Sequence, residues 1–349
     1  MFAKSLEKLI GERISKMKRT VAKKKKGTEK EGSFAKGRVS TGSTLLDLAI
    51  SGTRIRGGGL PAGILVEAFG PHGSGKTVLL CQIAGSIQKQ GGSILFRDPE
   101  ARLNEQFSKM FGFSIDESTE YSTPDTVIEA FKPIRKWEPE TELNGVFIDS
   151  LAALSTEMEM ADKEGFGTRR AKEFSEELRK VCRVIAKKGY LIVASNQIRE
   201  NIGAGLYGEK YLAPGGKAMG FYSSVRLRFS NPEKIKVEKT IHGKAVKRTI
   251  GIKSTVEVCK NSVDKPYRSA PLTIIFDYGI DDIRDSLQYL KTTLGLKSYA
   301  IGKRDLSKSL EKAIQIVEEK NLEEELREAV IDAWESVEAQ FSQKRKVRE

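Results

Sequence analysis

The sequence predicts an α/β fold: a mostly parallel sheet with helices on both faces, an N-terminal helix and arm before it, and a small helical C-terminal domain after it. Three observations predict this. Apolar runs at Ile64–Phe69, Ile94–Phe96, Val146–Ile148, Leu191–Ala194 and Val225–Phe229 alternate with helical stretches between Val39 and about Ile280. Strands that alternate with helices pair in parallel, and strands buried on both faces read as unbroken apolar runs. The segment GPHGSGKT lies between the first run and the helical stretch Val78–Gln90, which leads to the second run and makes one βαβ unit. From about Asp281 the pattern changes: Leu306, Leu310, Ile314, Val317, Leu322, Leu326, Val330 and Trp334 recur at near-helical spacing among Glu and Lys. The expected division is 1–38 (arm, oligomerisation), 39–280 (core) and 281–349 (C-terminal domain with a basic tail).

The arm opens with Phe2, Leu6, Leu9, Ile10, Ile14 and Met17 at spacings of three and four, the pattern of an amphipathic helix. Lys23–Lys26 and the glycines 27, 32 and 37 then read as a flexible linker. Residues 1–38 hold thirteen Lys or Arg against four Glu, so the arm carries +9 of the total +13. With the tail residues Lys344, Arg345, Lys346 and Arg348, this charge suits a polyanion such as nucleic acid, and a solvated charge run is the plainer alternative. No run of 18 apolar residues occurs, the start lacks a signal-type apolar stretch, and Glu7 and Glu12 argue against a transit peptide. A cytoplasmic protein with no membrane partner is expected. Cys81, Cys182 and Cys259 form no C-x-x-C pair and read as reduced thiols.

Gly70, Pro71, His72, Gly73, Ser74, Gly75, Lys76 and Thr77 satisfy G-x-x-x-x-G-K-[ST], with strand before and helix after. Glycines let the backbone wrap phosphate oxygens, and the following helix adds the positive end of its dipole. Lys76 would neutralise β- and γ-phosphate charge, and Thr77 would hold Mg²⁺. Asp149, ending the run in GVFIDS, is the expected second metal carboxylate, acting through water. Asp98 and Glu100 follow another buried run, at the edge where ligands of open α/β sheets bind; the spacing leaves open which one orients the attacking water.

STGSTLLDLAISGTRIRGGGLPAGILVEAFGPHGSGKT (40–77), DPEARLN (98–104), VFIDSLAAL (146–154), SNQIRENIG (195–203) and GGKAMGFYSSVRLRF (215–229) occur in one order and spacing that resembles the RecA family of recombinases over about residues 39–280. The resemblance implies a RecA-type P-loop ATPase core with ATP and Mg²⁺ as cofactors, single-stranded and duplex DNA as partners, and self-assembly into a helical filament; single-strand-binding or mediator proteins are further partners of that setting. It implies that Glu100 is the catalytic glutamate, that Phe107 stacks on adenine and that Gln197 senses the γ-phosphate. Two DNA loops are implied at 155–168 and 198–213, the second rich in glycine and alanine and ordered by its ligand. Arg179, Arg199, Gly215 and Gly216 then fall at phosphate-backbone contacts, with Lys172 at a usually basic position. Ile202, beside Gly203, falls where a wedge separates base triplets. Phe221 falls where a ring buries itself in the neighbouring subunit.

Two departures stand out. Where bacterial members carry two lysines that reach across the subunit interface, this chain has Lys260 and then Ser262, with Lys265 three residues on as a candidate replacement. Bacterial members usually end in an acidic segment, whereas this chain ends QKRKVRE. Both suggest a diverged member, of the kind a phage or mobile element encodes. A ring helicase would call for a larger N-terminal domain than this arm. A non-catalytic, mediator-type paralogue would not be expected to keep Lys76, Glu100, Asp149 and Gln197. Removing residues 343–349 should weaken duplex DNA binding at fixed salt, and an unchanged titration would refute a role for the tail. If Lys265 serves as the second lysine, Lys260→Ala and Lys265→Ala should each lower DNA-stimulated ATP turnover; an effect of Lys260→Ala alone would remove Lys265 from the site.

Overall fold

Apolar residues of the parallel strands alternate between two faces, and different helices cover each face. The computed structural model describes residues 37–156, 159, 166–197, 199–200, 211–212 and 217–341. The amphipathic segment 2–19, most of the basic linker and the tail 343–349 lie outside them. The described residues belong to one unit, Lys36–Glu349.

In chain order the elements begin with β1 (Arg38–Val39), α1 (Thr44–Ser51), β2 (Leu60–Pro61), β3 (Leu65–Gly70), α2 (Lys76–Gln88) and β4 (Ser93–Arg97). There follow α3 (Glu105–Met110), β5 (Thr119–Ser122), α4 (Val127–Lys136), β6 (Asn144–Ile148), α5 (Phe166–Lys188) and β7 (Leu191–Gln197). The short pair β8 (Arg199–Glu200) and β9 (Tyr211–Leu212) leads to α6 (Lys217–Tyr222) and β10 (Val225–Phe229). The long hairpin β11 (Glu233–Ile241) and β12 (Lys244–Asn261) precedes β13 (Ser269–Ile275), β14 (Gly279–Ile280) and α7 (Asp282–Thr293). The chain closes with β15 (Tyr299–Ile301), β16 (Arg304–Ser307), α8 (Leu310–Glu319) and α9 (Glu323–Gln340).

Among the described residues the main sheet has ten strands, in the order β14-β13-β12-β10-β3-β7-β6-β4-β5, with β11 pairing β12. From β10 to β5 every pairing is parallel, and the β11–β14 side is antiparallel. Ile94, Phe96, Phe147 and Val193 join a core cluster with α1, α2 and α7. Leu95, Val146, Ile148 and Ile192 point the other way, into a cluster with Phe131 of α4 and Phe174 and Leu178 of α5. This period-two division explains why the strands read as continuous apolar runs.

The C-terminal segment contains a feature that the helical period does not foresee. Leu306 belongs to the hairpin β15–β16, and the remaining apolar positions divide between α8 and α9. The break falls at Asn321, whose backbone is left-handed (φ 49°), a conformation asparagine tolerates better than most residues. Helix α9 packs on α7 and α1, and the Arg268 guanidinium lies over the Trp334 ring at 5.0 Å.

Helix α2, which carries the phosphate motif, sits unusually close to its neighbour at one point. A Cβ on Gly85 would lie 2.1 Å from the Gly112 carbonyl oxygen, so the helix is seated by the absence of a side chain there. Gly85→Ala should therefore cost about 1–3 kcal/mol through overpacking, despite alanine's better helix propensity. A lowered urea midpoint checks this; an unchanged or raised midpoint would show that α2 can move aside.

Candidate functional site

Four neighbouring strands end at one edge of the sheet, and the segments leaving those ends line a cleft of about 460 Å³, within the usual range of small-molecule sites. β3 runs into Gly70, and β7 ends beside it, with Gly70 paired to Gln197. Asp149 comes directly after β6, and Asp98 to Glu100 come directly after β4.

His72, Gly73, Ser74, Gly75, Lys76 and Thr77 line the cleft. Gly70 and Pro71 take a different part: their carbonyls accept hydrogen bonds from Lys76 Nζ at 3.2 and 2.6 Å. Gly75 caps α2 with φ 98°, and a Cβ there would stand 2.3 Å from Ile274 Cδ1. Conformation and crowding both demand glycine at this position. Lys76 is buried, which draws its ammonium below the usual lysine value, while the Asp149 and Glu100 carboxylates oppose the shift. Burial raises the Asp149 carboxyl above its ordinary value against hydrogen bonds from the Ser195 and Thr77 hydroxyls.

The structure separates Asp98 from Glu100. Asp98 is buried, and its Oδ2 accepts from Leu103 N and Tyr121 Oη, each at 2.8 Å. It clamps the loop. Glu100 lines the cleft, where its Oε1 accepts from Ser150 Oγ at 2.7 Å and Gln197 Nε2 at 3.2 Å. Between Glu100 and the rest of the loop, Ala101 adopts left-handed backbone (φ 49°). That conformation costs a non-glycine residue about 1–2 kcal/mol, and it accompanies a turn that brings Ala101 N to the Asp98 carbonyl and Leu103 N to the Asp98 carboxylate.

Phe107 also lines the cleft, half-buried and edge-on to Phe111 at 4.7 Å between ring centroids. Sequence reasoning missed Ile252, Ile274, Ile275, Phe276 and Asp277, which come from the antiparallel side of the sheet and line the same cleft. No local motif marks them; the one available signal was the exposed aromatic Phe276 just past a buried strand.

A family model described as the RecA N-terminal domain matches residues 7–281. The chain is 34% identical to Protein RecA of Acholeplasma laidlawii over 289 residues, covering 81% of this chain and 82% of that one. It is 32% identical to Protein RecA of Thermus aquaticus over 310 residues, 86% of each chain. The chain belongs to the RecA family. A further relative, Protein RecA of Rippkaea orientalis, is 37% identical over 246 residues, 69% of this chain and 66% of that one.

None of the remaining RecA-type positions among the described residues lines the cleft. Lys172 and Arg179 are exposed on α5, seven residues apart and so on one side of the helix. Arg199 pairs through its backbone with Leu212, and Ile202, Gly203, Gly215 and Gly216 fall outside the described residues. Of the first expected loop, 166–168 belong to α5. Phe221 is 76% exposed, an unusual position for a phenylalanine. Lys260 does not line the cleft of its own chain; its Nζ donates to the Gly220 and Phe221 carbonyls, each at 2.9 Å. Ser262 is exposed and bonds the Ser224 carbonyl through N and Oγ. No helix among the described residues is long and apolar enough to cross a membrane.

Proposed function

We propose that this chain is an ATP-dependent recombinase that assembles as a helical filament on single-stranded DNA, hydrolyses ATP when DNA is bound, and exchanges homologous strands. The observation that carries the reading is the hydrogen bond between Glu100 and Gln197. It joins the carboxylate best placed to align a water at the terminal phosphate to the last residue of β7, from which the chain enters the segment 198–213. Occupancy of the nucleotide site and the conformation of that segment can thus share one contact.

In this reading the phosphates lie along His72–Thr77 at the start of α2, where Lys76 offers its charge. Phe107 and Phe276 supply apolar surface for the base. Thr77 and Asp149 would hold Mg²⁺, and the fit is supported by a buried carboxylate bonded to that threonine's hydroxyl; the ion would neutralise phosphate charge. Glu100 accepts from and orients the attacking water. Lys172, Arg179, Arg199 and the glycines at 203, 215 and 216 would bear on the DNA backbone, which gives sequence-independent, salt-sensitive binding, with Ile202 between bases. The exposed Phe221 ring, with Lys260 bonded beneath it, is the surface that a second copy would cover. Such a head-to-tail contact does not close, so it builds a filament.

The test is ATP-dependent strand exchange between a single strand and a homologous labelled duplex, with Lys76→Ala as control. Homology-dependent product is expected from the parent protein. The variant should turn over ATP slower by a factor on the order of 10² or more, because a charge on the transferring group is lost. DNA-stimulated hydrolysis without exchanged product would instead support an accessory, mediator-type protein.

A further inference from the structure

The loop after β4 carries a cation to which the chemistry above gives no task. Arg102 lies two residues past Glu100 and lines the same cleft as Lys76, Thr77 and Gln197. Its Nη1 stands 2.8 Å from Glu100 Oε2, and it has no other ion pair or hydrogen bond among the described residues. Glu100 Oε1 is meanwhile held by Ser150 and Gln197. Oε1 thus accepts two bonds, and Oε2 gives one of its two acceptor sites to a guanidinium that also offsets the charge with which the carboxylate would orient a water.

The two engagements are unequal. Ser150 is buried, and its hydroxyl is fixed at the end of β6. The Arg102 side chain is 69% exposed against 17% for Glu100, and an exposed ion pair is weak and easily exchanged. The root of Arg102 is nonetheless well anchored. Asp98 clamps the loop through Leu103 N and Tyr121 Oη, and Ala101 N bonds the Asp98 carbonyl at 3.0 Å. A fixed root and a free head describe a side chain that can change partners without moving the backbone.

We propose that Arg102 makes this exchange: it leaves Glu100 Oε2 for the terminal phosphoryl group of a bound nucleoside triphosphate, and so restores that oxygen's second acceptor site and its full charge for the attacking water. A terminal phosphoryl carries more charge than a carboxylate, and its oxygens match the planar guanidinium fork. A diphosphate lacks that group, and Arg102 then stays on Glu100. The residue is thus a determinant of triphosphate over diphosphate binding, and it leaves the water-aligning carboxylate at full strength only when there is a γ-phosphate to attack. It also brings to the cleft, from within the same chain, a positive charge that Ser262 does not supply.

The inference rests on the cleft being an ATP site, and the experiment keeps the two claims apart. Equilibrium binding of adenylyl imidodiphosphate and of ADP, each with magnesium, is measured on the full chain for the parent, Arg102→Ala, Arg102→Lys and Lys76→Ala. Arg102→Ala should weaken the triphosphate analogue about tenfold and ADP less than twofold, and Arg102→Lys should recover part of the loss. Equal weakening of both nucleotides, or of neither, would overturn the role of Arg102 and leave the ATP site standing. A parent protein that binds neither nucleotide, or a Lys76→Ala variant that binds both as well as the parent, would overturn the site and the exchange together.

Discussion

Register in the parallel half of the sheet is the constraint on which the site depends. Arg97 pairs with Ile148, Ile148 with Ala194, and Gly70 with Gln197. Because the strands stop at nearly the same level, Asp98, Asp149, Gln197 and the phosphate motif emerge together along one edge. A slip of one residue would carry Phe96, Phe147 or Val193 from one core cluster to the opposite face. Two different cores therefore hold the register from both sides. The chemistry at the edge is positioned by apolar residues that never touch a ligand.

A charged group in β3 interrupts that apolar framework. Glu67, on the strand that leads into the phosphate motif, is fully buried; it accepts from Asn196 Nδ2 at 3.0 Å and pairs with Arg226 Nε at 2.6 Å. The Arg226 guanidinium also lies over the Phe69 ring at 4.4 Å. Such a pair is a poor source of net stability, but losing either partner leaves an uncompensated charge, typically at about 3–5 kcal/mol. Its effect is to join β3, β7 and β10, which lead to the phosphate motif, to Gln197 and towards the surface of Phe221 and Lys260. The Lys260 ammonium registers this neighbourhood: burial and then the Arg226 charge draw it below the usual lysine value, with Glu67 opposing.

Much of this is legible in the sequence, for definite reasons. Strands buried on both faces must be apolar throughout, so Val146–Ile148 and Leu191–Ala194 declare themselves, and a phosphate loop has few sequences that can form it. Asp98 and Glu100 are not separable by spacing, because the partners that claim Asp98, Leu103 N and Tyr121 Oη, come together only in the folded chain. Phe276 and Ile252 carry no local signal because their role comes from the antiparallel strands, which return to the site nearly two hundred residues after the phosphate motif. Leu306 reads as helical in the sequence because a short hairpin and two helices can keep an apolar rhythm close to one long period. Local patterns reveal elements. Only packing reveals which distant elements share a wall.

The Glu100–Gln197 bond also constrains how the proposed function must behave energetically. If nucleotide at the cleft changes the affinity of the 198–213 segment for DNA by some factor, DNA must change nucleotide affinity by the same factor, since both ligands bias one equilibrium. A single neutral donor to a carboxylate contributes about 1.5–3 kcal/mol, which matches a coupling of the usual size without any rearrangement of the sheet. The surrounding geometry keeps that contact from being diluted: Ser195 bonds Asp149, Asn196 bonds Glu67, and Gln197 reaches Glu100. Ser195 and Gln197 thus face the cleft while Asn196 between them turns to the buried Glu67, because alternation along a strand sends neighbours to opposite faces.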